Sequence, residues 1–509
     1  MNSPLQRAIQ AFQAQQYEQA ASAFEQALSA DPDDIQARAG LGQSLCTLGR
    51  LHEGLALLNE AGGDLLDLAE DDGQIGYVLE IVQQLQQFGD FISSHQLCDA
   101  AVKLAPEDAR GLQLLAVAAA QLNKKTEALD AAQRAVRLQP DNQMLQVLLA
   151  SVEADGGQGE LAAQRLQALL ARGLAPREAF RAHKELARVL DKQGRFDQVF
   201  PHLHASTKAS QSLPEYQRHP VNLLPMMIKS HRLGFDRELL QRWKGAAFAA
   251  EAPAPVFLIG FFRSGTTLTQ EVLDAHPRLH VADEADFVAA MHRELHRLQP
   301  GPASTADKLR RLDLDGIQHL RAFYWQRARD RLGPDLQTDG FVDKFTLNTV
   351  DLGLISCVFP DARIVFVMRD PRDVCLSCFM QLMAPSPATV HLLGWTSTAE
   401  LYAQVMGWWM HVRELMAPSY IEFRYEDTIA DFEATFRRVF DFLGLDWDPA
   451  VASFHERAAK KSIASPSRAQ VAQPLYSSSV ARWRHFGSEF KHIEALLTPF
   501  VKAFDYEAF

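Results

Sequence analysis

The stretch PVFLIGFFRSGTTLTQEVLDAHP, residues 255–277, consists of an apolar strand, a glycine-containing turn and a helix. The turn nearly fits the phosphate-binding pattern Gly-x-x-x-x-Gly-Lys-Ser/Thr, because Gly260 and Gly265 have the required spacing. Thr266 stands where that pattern has its lysine, and Arg263 lies inside the loop. A strand that leads through such a turn into a helix presents backbone N–H groups to an anion. The sequence therefore predicts an anion-binding loop that differs from a nucleoside-triphosphate loop.

The missing lysine limits what this loop is expected to bind. In nucleoside-triphosphate enzymes, lysine and magnesium neutralise the terminal phosphates. A phosphosulfate ends in a sulfuryl group with a single negative charge, so it does not require that clamp. Arg263 is expected to hold the 5′-phosphate side with two parallel hydrogen bonds. The other donors expected in this loop are Ser264, Gly265, Thr266 and Thr267.

Downstream of the loop, short β-branched segments alternate with helical segments. The strand-like segments begin at Val256, Gly340, Ala362 and Tyr420. This alternation is typical of a parallel sheet covered by helices on both faces, with ligands at the carboxyl ends of the strands. We therefore expect a P-loop-like α/β domain with a central parallel sheet over residues 255–509.

The first 210 residues are rich in Ala, Leu and Gln and contain an internal repeat. Pro106 and Pro140 are 34 residues apart, and each follows a segment with small residues at helical spacing. Small residues allow helices to cross closely, and proline ends the second helix of each repeat. This half resembles about five or six tetratricopeptide repeats, and the 34-residue spacing disfavours an ordinary antiparallel bundle. We expect a repeat superhelix over residues 1–210 and a helical linker over residues 211–254.

The loop sequence FLIGFFRSGTTL resembles the 5′-phosphosulfate loop of sulfotransferases that use 3′-phosphoadenosine-5′-phosphosulfate (PAPS). The resemblance covers residues 255–509. Together with the repeats, the chain is similar to bacterial-type tetratricopeptide-repeat sulfotransferases, whose catalytic half resembles tyrosylprotein sulfotransferases. The resemblance implies that a sulfuryl group is transferred to a hydroxyl, such as a protein tyrosine, or to an amine. The product would be 3′,5′-ADP, and no metal would be required.

A second anion site, for the 3′-phosphate, is implied by RIVFVMRDPRDVCLSCF, residues 363–379. Asp370 and Pro371 suit the N-cap and first position of a helix that follows a strand ending at Arg369, and Asp373 is expected to complete a capping-box-like pattern. The family's 3′-phosphate arginine and serine are eight residues apart, and they fall on Arg369 and Ser377. Such a site would distinguish PAPS from ATP and ADP, which lack a 3′-phosphate.

The acid–base chemistry is expected in two other segments. Glu284 lies 21 residues after Arg263, which is the spacing of the catalytic glutamate in tyrosylprotein sulfotransferases. Lys344 matches the family's lysine, which stabilises or protonates the bridging oxygen as the donor leaves. The alternatives are a solvated acidic loop around Glu284 and a base at His276 or His280. Asp286 stands where the family has an arginine, so the acceptor stays open.

The segment SPSRAQVAQPLYSSSVARWRHF, residues 465–486, resembles the family's closing loop. Ser467 matches a serine that helps to bind the sulfuryl or bridging oxygen. Arg482 and Arg484 flank a tryptophan and are expected to approach the 3′-phosphate. Tyr425 falls where the family has a tyrosine that contacts adenine.

Composition limits the classes of function and the location. The net charge of −12 argues against a general nucleic-acid binder. The apolar runs are shorter than the ~20 residues of a membrane-spanning helix, and the N-terminus lacks a signal-peptide core, so we expect a cytoplasmic protein. Five cysteines make no disulfide framework. The pair Cys375 and Cys378 fits helix packing better than a metal or redox site.

The sequence is also compatible with two other functions. The repeats themselves could have either of two roles. A P-loop kinase or NTPase would share the fold, but it needs the missing lysine and a magnesium-binding aspartate. A repeat scaffold could instead bind a nucleotide without catalysis, although Arg263, Glu284, Lys344 and Ser377 are all present. The repeat groove could recruit a protein or peptide acceptor, or it could form a homodimer.

Overall fold

The computed structural model describes residues 3–69, 72–458, 471, 475 and 478–508. The chain forms two compact units, one comprising Met1–Leu169 with Gln326–Leu336, the other Leu170–Trp325 with Gln337–Phe509. The chain from Leu170 to Trp325 therefore belongs to the second unit. The boundaries expected at residues 210 and 254 stay predictions about the organisation of the sequence.

The first unit is built from helical repeats, as predicted. Its helices are α1 Pro4–Gln13, α2 Tyr17–Ala30, α3 Ile35–Thr47, α4 Leu51–Asp67, α5 Asp72–Gln87, α6 Phe91–Leu104, α7 Ala109–Gln121, α8 Lys125–Leu138, α9 Gln143–Asp155 and α10 Gly159–Arg172. Side-chain caps recur where helices begin, each accepting a hydrogen bond from the N–H three residues further on. These caps are Asp34, Asp90, Asp108 and Asn142. Gly42 lies so close to α4 that a Cβ there would stand 2.9 Å from the carbonyl oxygen of Gly54.

The second unit is also mostly helical. Before its sheet come α11 Pro176–Lys192, α12 Val199–Ser210, α13 Pro214–Gln217, α14 Leu223–Gly234 and α15 Arg237–Gln241. Between and after the strands come α16 Thr266–Asp274, α17 Phe287–Leu298, α18 Thr305–Arg311, α19 Leu314–Leu332, α20 Leu352–Val358, α21 Pro371–Met380, α22 Trp395–Val412, α23 Tyr425–Ala430, α24 Phe432–Leu443, α25 Phe454–Ala458, α26 Gly487–Phe490 and α27 Glu494–Ala503. The end of α19 belongs to the first unit.

A parallel sheet lies at the centre of this unit, as predicted. Its strands are β1 Val256–Gly260, β2 His280–Asp283, β3 Phe341–Lys344, β4 Arg363–Met368 and β5 Ser419–Arg424, in the order β2-β3-β1-β4-β5. Every pairing is parallel, with Gly260 opposite Val367 and Asp283 opposite Lys344. Four strands fall on the predicted segments, whereas β2 was not among the predicted strands.

The sheet is buried because its central strands carry apolar side chains on both faces. Leu258, Val365 and Val367 pack in a core that also contains apolar residues of α16 and α24. All five cysteines are free and buried. In the parts of the chain that the structure describes, no helix combines the length and apolarity needed to cross a membrane. The expected cytoplasmic location stays a prediction.

Candidate active site

The glycine loop connects β1 to α16 at the carboxyl edge of the sheet. Gly265 has a φ of 105° and Arg263 a φ of 63°, so both adopt the left-handed backbone conformation. A Cβ on Gly265 would lie 2.8 Å from Cδ2 of Tyr425, and a Cβ on Gly260 would lie 2.6 Å from the carbonyl oxygen of Val367. Glycine is therefore required at both positions by close approach, and at Gly265 also by conformation.

Hydroxyl groups attach this loop to its surroundings. The Ser264 hydroxyl donates to the carbonyl of Phe261 over 2.7 Å. The hydroxyls of Thr266 and Thr346 share a hydrogen bond of 3.0 Å. Thr266 and Thr267 are both buried in the first turn of α16. The backbone N–H of Ser264 also donates to the Phe261 carbonyl, over 3.2 Å, so both donors of Ser264 are engaged within the loop.

The structure brings three of the predicted anion-binding residues into contact. Nε of Arg263 donates to the hydroxyl of Ser377 over 3.0 Å. Nη1 of Arg369 donates to the carbonyl oxygen of Arg263 over 3.1 Å. The loop after β1 and the helix after β4 thus present their polar groups to one common space.

Tyr425 joins this cluster through a residue that the sequence did not indicate, Ser479. Nη2 of Arg369 donates to the Ser479 carbonyl over 2.6 Å, and the hydroxyls of Tyr425 and Ser479 lie 2.7 Å apart. The Arg369 guanidinium carbon stands 5.1 Å from the centre of the Tyr425 ring, a cation–π distance. Nε of Arg369 is buried and has no hydrogen-bond partner among the described residues. We refer to Arg263, Ser377, Arg369, Tyr425 and Ser479 as the donor half of the site.

Glu284, Lys344 and Asp283 form a second cluster, which we call the base half. Lys344 is fully buried, donates to Oδ1 of Asp283 over 3.2 Å and pairs with Oε1 of Glu284. The backbone N–H of Glu284 donates to the Lys344 carbonyl over 2.8 Å. Burial alone would lower the pKa of Lys344, but the charges and hydrogen bonds of Glu284 and Asp283 outweigh it and raise the pKa. The lysine therefore stays cationic.

The start of α21 follows the prediction in one respect and departs from it in another. Asp370 caps the helix by accepting from the N–H of Arg372 over 2.9 Å, as expected. Asp373 instead accepts the backbone N–H of Trp483 over 2.8 Å. The Arg372 guanidinium lies 3.8 Å from the Trp483 ring centre. The C-terminal segment is thereby attached to α21.

The two closing-segment arginines lie in different surroundings. Nη2 of Arg482 pairs with Oδ2 of Asp191 in α11 and lies 3.3 Å from the sulfur of Met380. Arg484 pairs with Glu507, and more than half of each side chain is exposed. The structure thus brings Arg482 next to α21 and leaves Arg484 at the surface. Ser467 lies outside the described residues.

Helix α11 contributes a further residue that sequence reasoning missed. Nζ of Lys184 donates to the Phe379 carbonyl and stands 4.8 Å from the Phe379 ring centre. Burial lowers the pKa of Lys184 to about 7. A signal was available, because Lys184 lies among apolar positions such as Ala182 and Leu186, which are buried too.

His276, one of the alternative bases, makes structural contacts. Both ring nitrogens of His276 contact backbone, Nε2 at 3.1 Å from the Asp446 carbonyl and Nδ1 at 3.2 Å from the N–H of Arg278. His276 thus fastens a helix end. Among the described residues, no group of three His, Cys, Asp or Glu side chains is arranged to hold a metal ion.

Comparison with known sequences finds matches to family profiles in both parts of the chain. Residues 255–449 match the profile of the Sulfotransferase family, and residues 11–67 and 79–143 match profiles of the Tetratricopeptide repeat. An uncharacterized protein of Aquifex aeolicus (strain VF5) is 26% identical over 325 residues, covering 62% of this chain and 40% of that relative. Protein-tyrosine sulfotransferase 2 of Gallus gallus is 23% identical over 279 residues, covering 52% of this chain and 71% of that relative.

The solved structures that align with the chain include a sulfotransferase domain. The sulfotransferase domain from the Synechococcus PCC 7002 olefin synthase aligns with a TM-score of 0.31 at 20% identity. The alignment covers 47% of this chain and 91% of that domain.

Proposed function

We propose that the chain transfers a sulfuryl group from PAPS to a hydroxyl or amine acceptor, because residues 255–449 match the Sulfotransferase family profile and follow two matches to the Tetratricopeptide repeat. The observation that carries the proposal is the contact between Arg263 and Ser377. It joins the loop expected to bind a 5′-phosphate to the helix expected to bind a 3′-phosphate. A nucleotide with phosphates at both positions is the ligand that uses both sites.

The residues present fit such a donor. The buried Nε of Arg369 has no partner among the described residues, and a phosphate oxygen near it would relieve the cost of that unpaired group. Gly260 and Gly265 leave the loop without side chains, so the backbone N–H groups can approach a phosphate closely. We assign the 5′-phosphate to Arg263 and the loop from Ser264 to Thr267, the 3′-phosphate to Arg369 and Ser377, and adenine to Tyr425.

The base half would accept the proton of the acceptor group and stabilise the negative charge that develops on the leaving group. PAPS, when bound, supplies a sulfuryl group joined through a bridging oxygen to the 5′-phosphate. Glu284 accepts the proton of the acceptor hydroxyl or amine as the acceptor bonds to sulfur and the sulfur–bridging oxygen bond breaks. Lys344, kept cationic by its raised pKa, stabilises the negative charge left on the bridging oxygen of 3′,5′-ADP. Ser467 is proposed to assist at that oxygen.

Calorimetry with four nucleotides tests the donor. We expect the purified chain to bind PAPS and 3′,5′-ADP at least about tenfold more tightly than 5′-AMP, because a charged hydrogen bond to the extra phosphate contributes about 1.5 kcal/mol or more. Tight binding of magnesium ATP without a response to PAPS or 3′,5′-ADP would overturn the proposal in favour of a kinase or NTPase. Release of 3′,5′-ADP in the presence of acceptors separates an enzyme from an inactive scaffold.

We further propose a protein or peptide as the acceptor, recruited by the repeats. A cavity in the first unit is lined by apolar and amide residues: Ile9, Phe12, Gln13, Phe24, Gln36, Ala39, Gly40, Gln43 and Gln84. Amide side chains both donate and accept, so they suit the backbone of an extended peptide. Labelled PAPS and a cell lysate, followed by mass spectrometry, should reveal a gain of SO3 on a peptide. A second copy of this chain is the alternative occupant of the cavity, and light scattering would detect the resulting dimer.

A further inference from the structure

Helix α11, Pro176–Lys192, lies between the ranges that match the repeat profiles and the sulfotransferase profile. It nevertheless contacts two segments next to the donor half, namely the closing segment and the end of α21. Asp191 pairs with Arg482, and Lys184 donates to the carbonyl of Phe379, which lies two residues after Ser377. Both contacts are made at the C-terminal end of α21 or beside it. We infer that Asp191 is a positioning residue, which holds Arg482 next to Ser377 so that the guanidinium contributes to the 3′-phosphate site.

The position of Arg482 supports this inference, which rests on the proposed function. Its Nη2 lies 3.3 Å from the sulfur of Met380, and Met380 is three residues after Ser377 on α21. Residues three apart share a helix face. Arg482 is therefore about one helical turn from the serine assigned to the 3′-phosphate.

The guanidinium of Arg482 has N–H groups that make no hydrogen bond to the described residues. Only Nη2 of Arg482 makes hydrogen bonds to the described residues, and about a quarter of the side chain is exposed. A guanidinium carries five N–H donors in a planar fork, so it can hold a carboxylate with one edge and a phosphate with another. The pairing with Asp191 thus leaves Nε or Nη1 to donate a single hydrogen bond to an anion.

The Asp191 carboxylate is suited to fixing that orientation. The side chain is 10% exposed, and its Oδ1 is buried without a partner among the described residues. The backbone after Arg482 is already attached to α21, because the N–H of Trp483 donates to Asp373. With the main chain held there, the direction of the Arg482 side chain depends on Asp191.

The test compares 3′,5′-ADP with 5′-AMP, since only the former carries a 3′-phosphate. In calorimetry with the full chain, Asp191→Asn should reduce the preference for 3′,5′-ADP over 5′-AMP by about tenfold, through weaker 3′,5′-ADP binding alone. Asp197→Asn is the matched control, because Asp197 is an exposed carboxylate six residues further on. It should leave both affinities unchanged.

Other outcomes overturn the inference. If Asp191→Asn weakens both nucleotides equally, its role is merely structural, and if it strengthens 3′,5′-ADP binding, Asp191 masks Arg482 instead of positioning it. Arg482→Gln provides a second route, should the Asp191 variant not fold. Arg482→Gln alone must lower the preference for 3′,5′-ADP over 5′-AMP about tenfold. The double variant with Asp191→Asn must show the same preference as Arg482→Gln alone. A wild-type chain without preference for 3′,5′-ADP would refute the proposed function before any variant is compared.

Discussion

The donor half and the base half of the site satisfy their charges in different ways. In the donor half, the hydrogen bonds of Arg369 go to the carbonyl oxygens of Arg263 and Ser479. In the base half, Lys344 lies between the carboxylates of Asp283 and Glu284. Carbonyl groups compensate a cation less than a carboxylate does, so the donor half is suited to recruit an anion. In the base half, the cation is paired with carboxylates before any ligand arrives.

The origin of the two halves in the chain explains this difference. Asp283 and Lys344 are opposite each other in the register of two adjacent parallel strands, so the sheet itself creates the base half. The donor half combines the loop after β1, the helix after β4 and the C-terminal segment that contains Ser479. We therefore expect variants of the base half to affect turnover, and variants of the donor half to affect nucleotide binding.

The largest effect is expected for Glu284→Gln. This change keeps the size of the side chain and removes the proton acceptor, so kcat should fall about a thousandfold, within the range typical of general bases. Binding of 3′,5′-ADP, measured by calorimetry, should be unchanged. The control is Asp286→Asn, two residues away in an exposed pair with Arg293, which should retain most of the turnover. Turnover that survives in Glu284→Gln with intact donor binding would show that Glu284 is not the base.

The second-largest effect is expected in the affinity for 3′,5′-ADP. Arg369→Gln removes the guanidinium of the donor half, and we expect 3′,5′-ADP to bind about 10- to 100-fold more weakly, because charged hydrogen bonds are the strong ones. The control is Arg363→Gln, at the opposite end of the same strand, where the side chain donates to the Leu443 carbonyl. It should not change the affinity. If both variants bind 3′,5′-ADP equally well, Arg369 does not hold the 3′-phosphate.

Local patterns made much of the fold and the donor loop predictable. The strand–glycine–helix order of residues 255–277 fixes the loop, and Asp370 with Pro371 fixes the start of α21. Strand β2 was missed because it has only four residues, of which His280 is exposed. Such a short edge strand carries little apolar signal.

Contacts between distant segments could not be predicted in the same way. The pairing of Asp191 with Arg482 and the bonds of Ser479 join residues more than 50 positions apart in sequence. No periodicity encodes them. The same limitation applies to Arg482 and Arg484, which are equivalent in sequence on either side of a tryptophan. Only the folded chain separates the one beside α21 from the one paired with Glu507.

The third expected effect concerns stability and involves Lys184, which supports the donor half from α11. Its pKa is lowered from the ordinary value of 10.5 to about 7 by burial. Below pH 7 the lysine is protonated in both states, so the folded state bears the cost of a buried charge. Between pH 7 and 10.5 the unfolded chain binds more protons, so the free energy of unfolding rises with pH. Lys184→Met removes this contribution.

Thermal or urea unfolding of wild type and Lys184→Met from pH 7 to pH 9 measures the difference. The stability of the wild type relative to the variant should increase across that range, by up to a few kcal/mol if the range were extended to pH 10.5. Lys192→Met, an exposed position in the last turn of the same helix, should follow the wild type. Parallel pH profiles for wild type and Lys184→Met would mean that Lys184 keeps its ordinary pKa. Its contact with Phe379 would then be that of a permanent cation at the C-terminal end of α21, where the helix dipole favours positive charge.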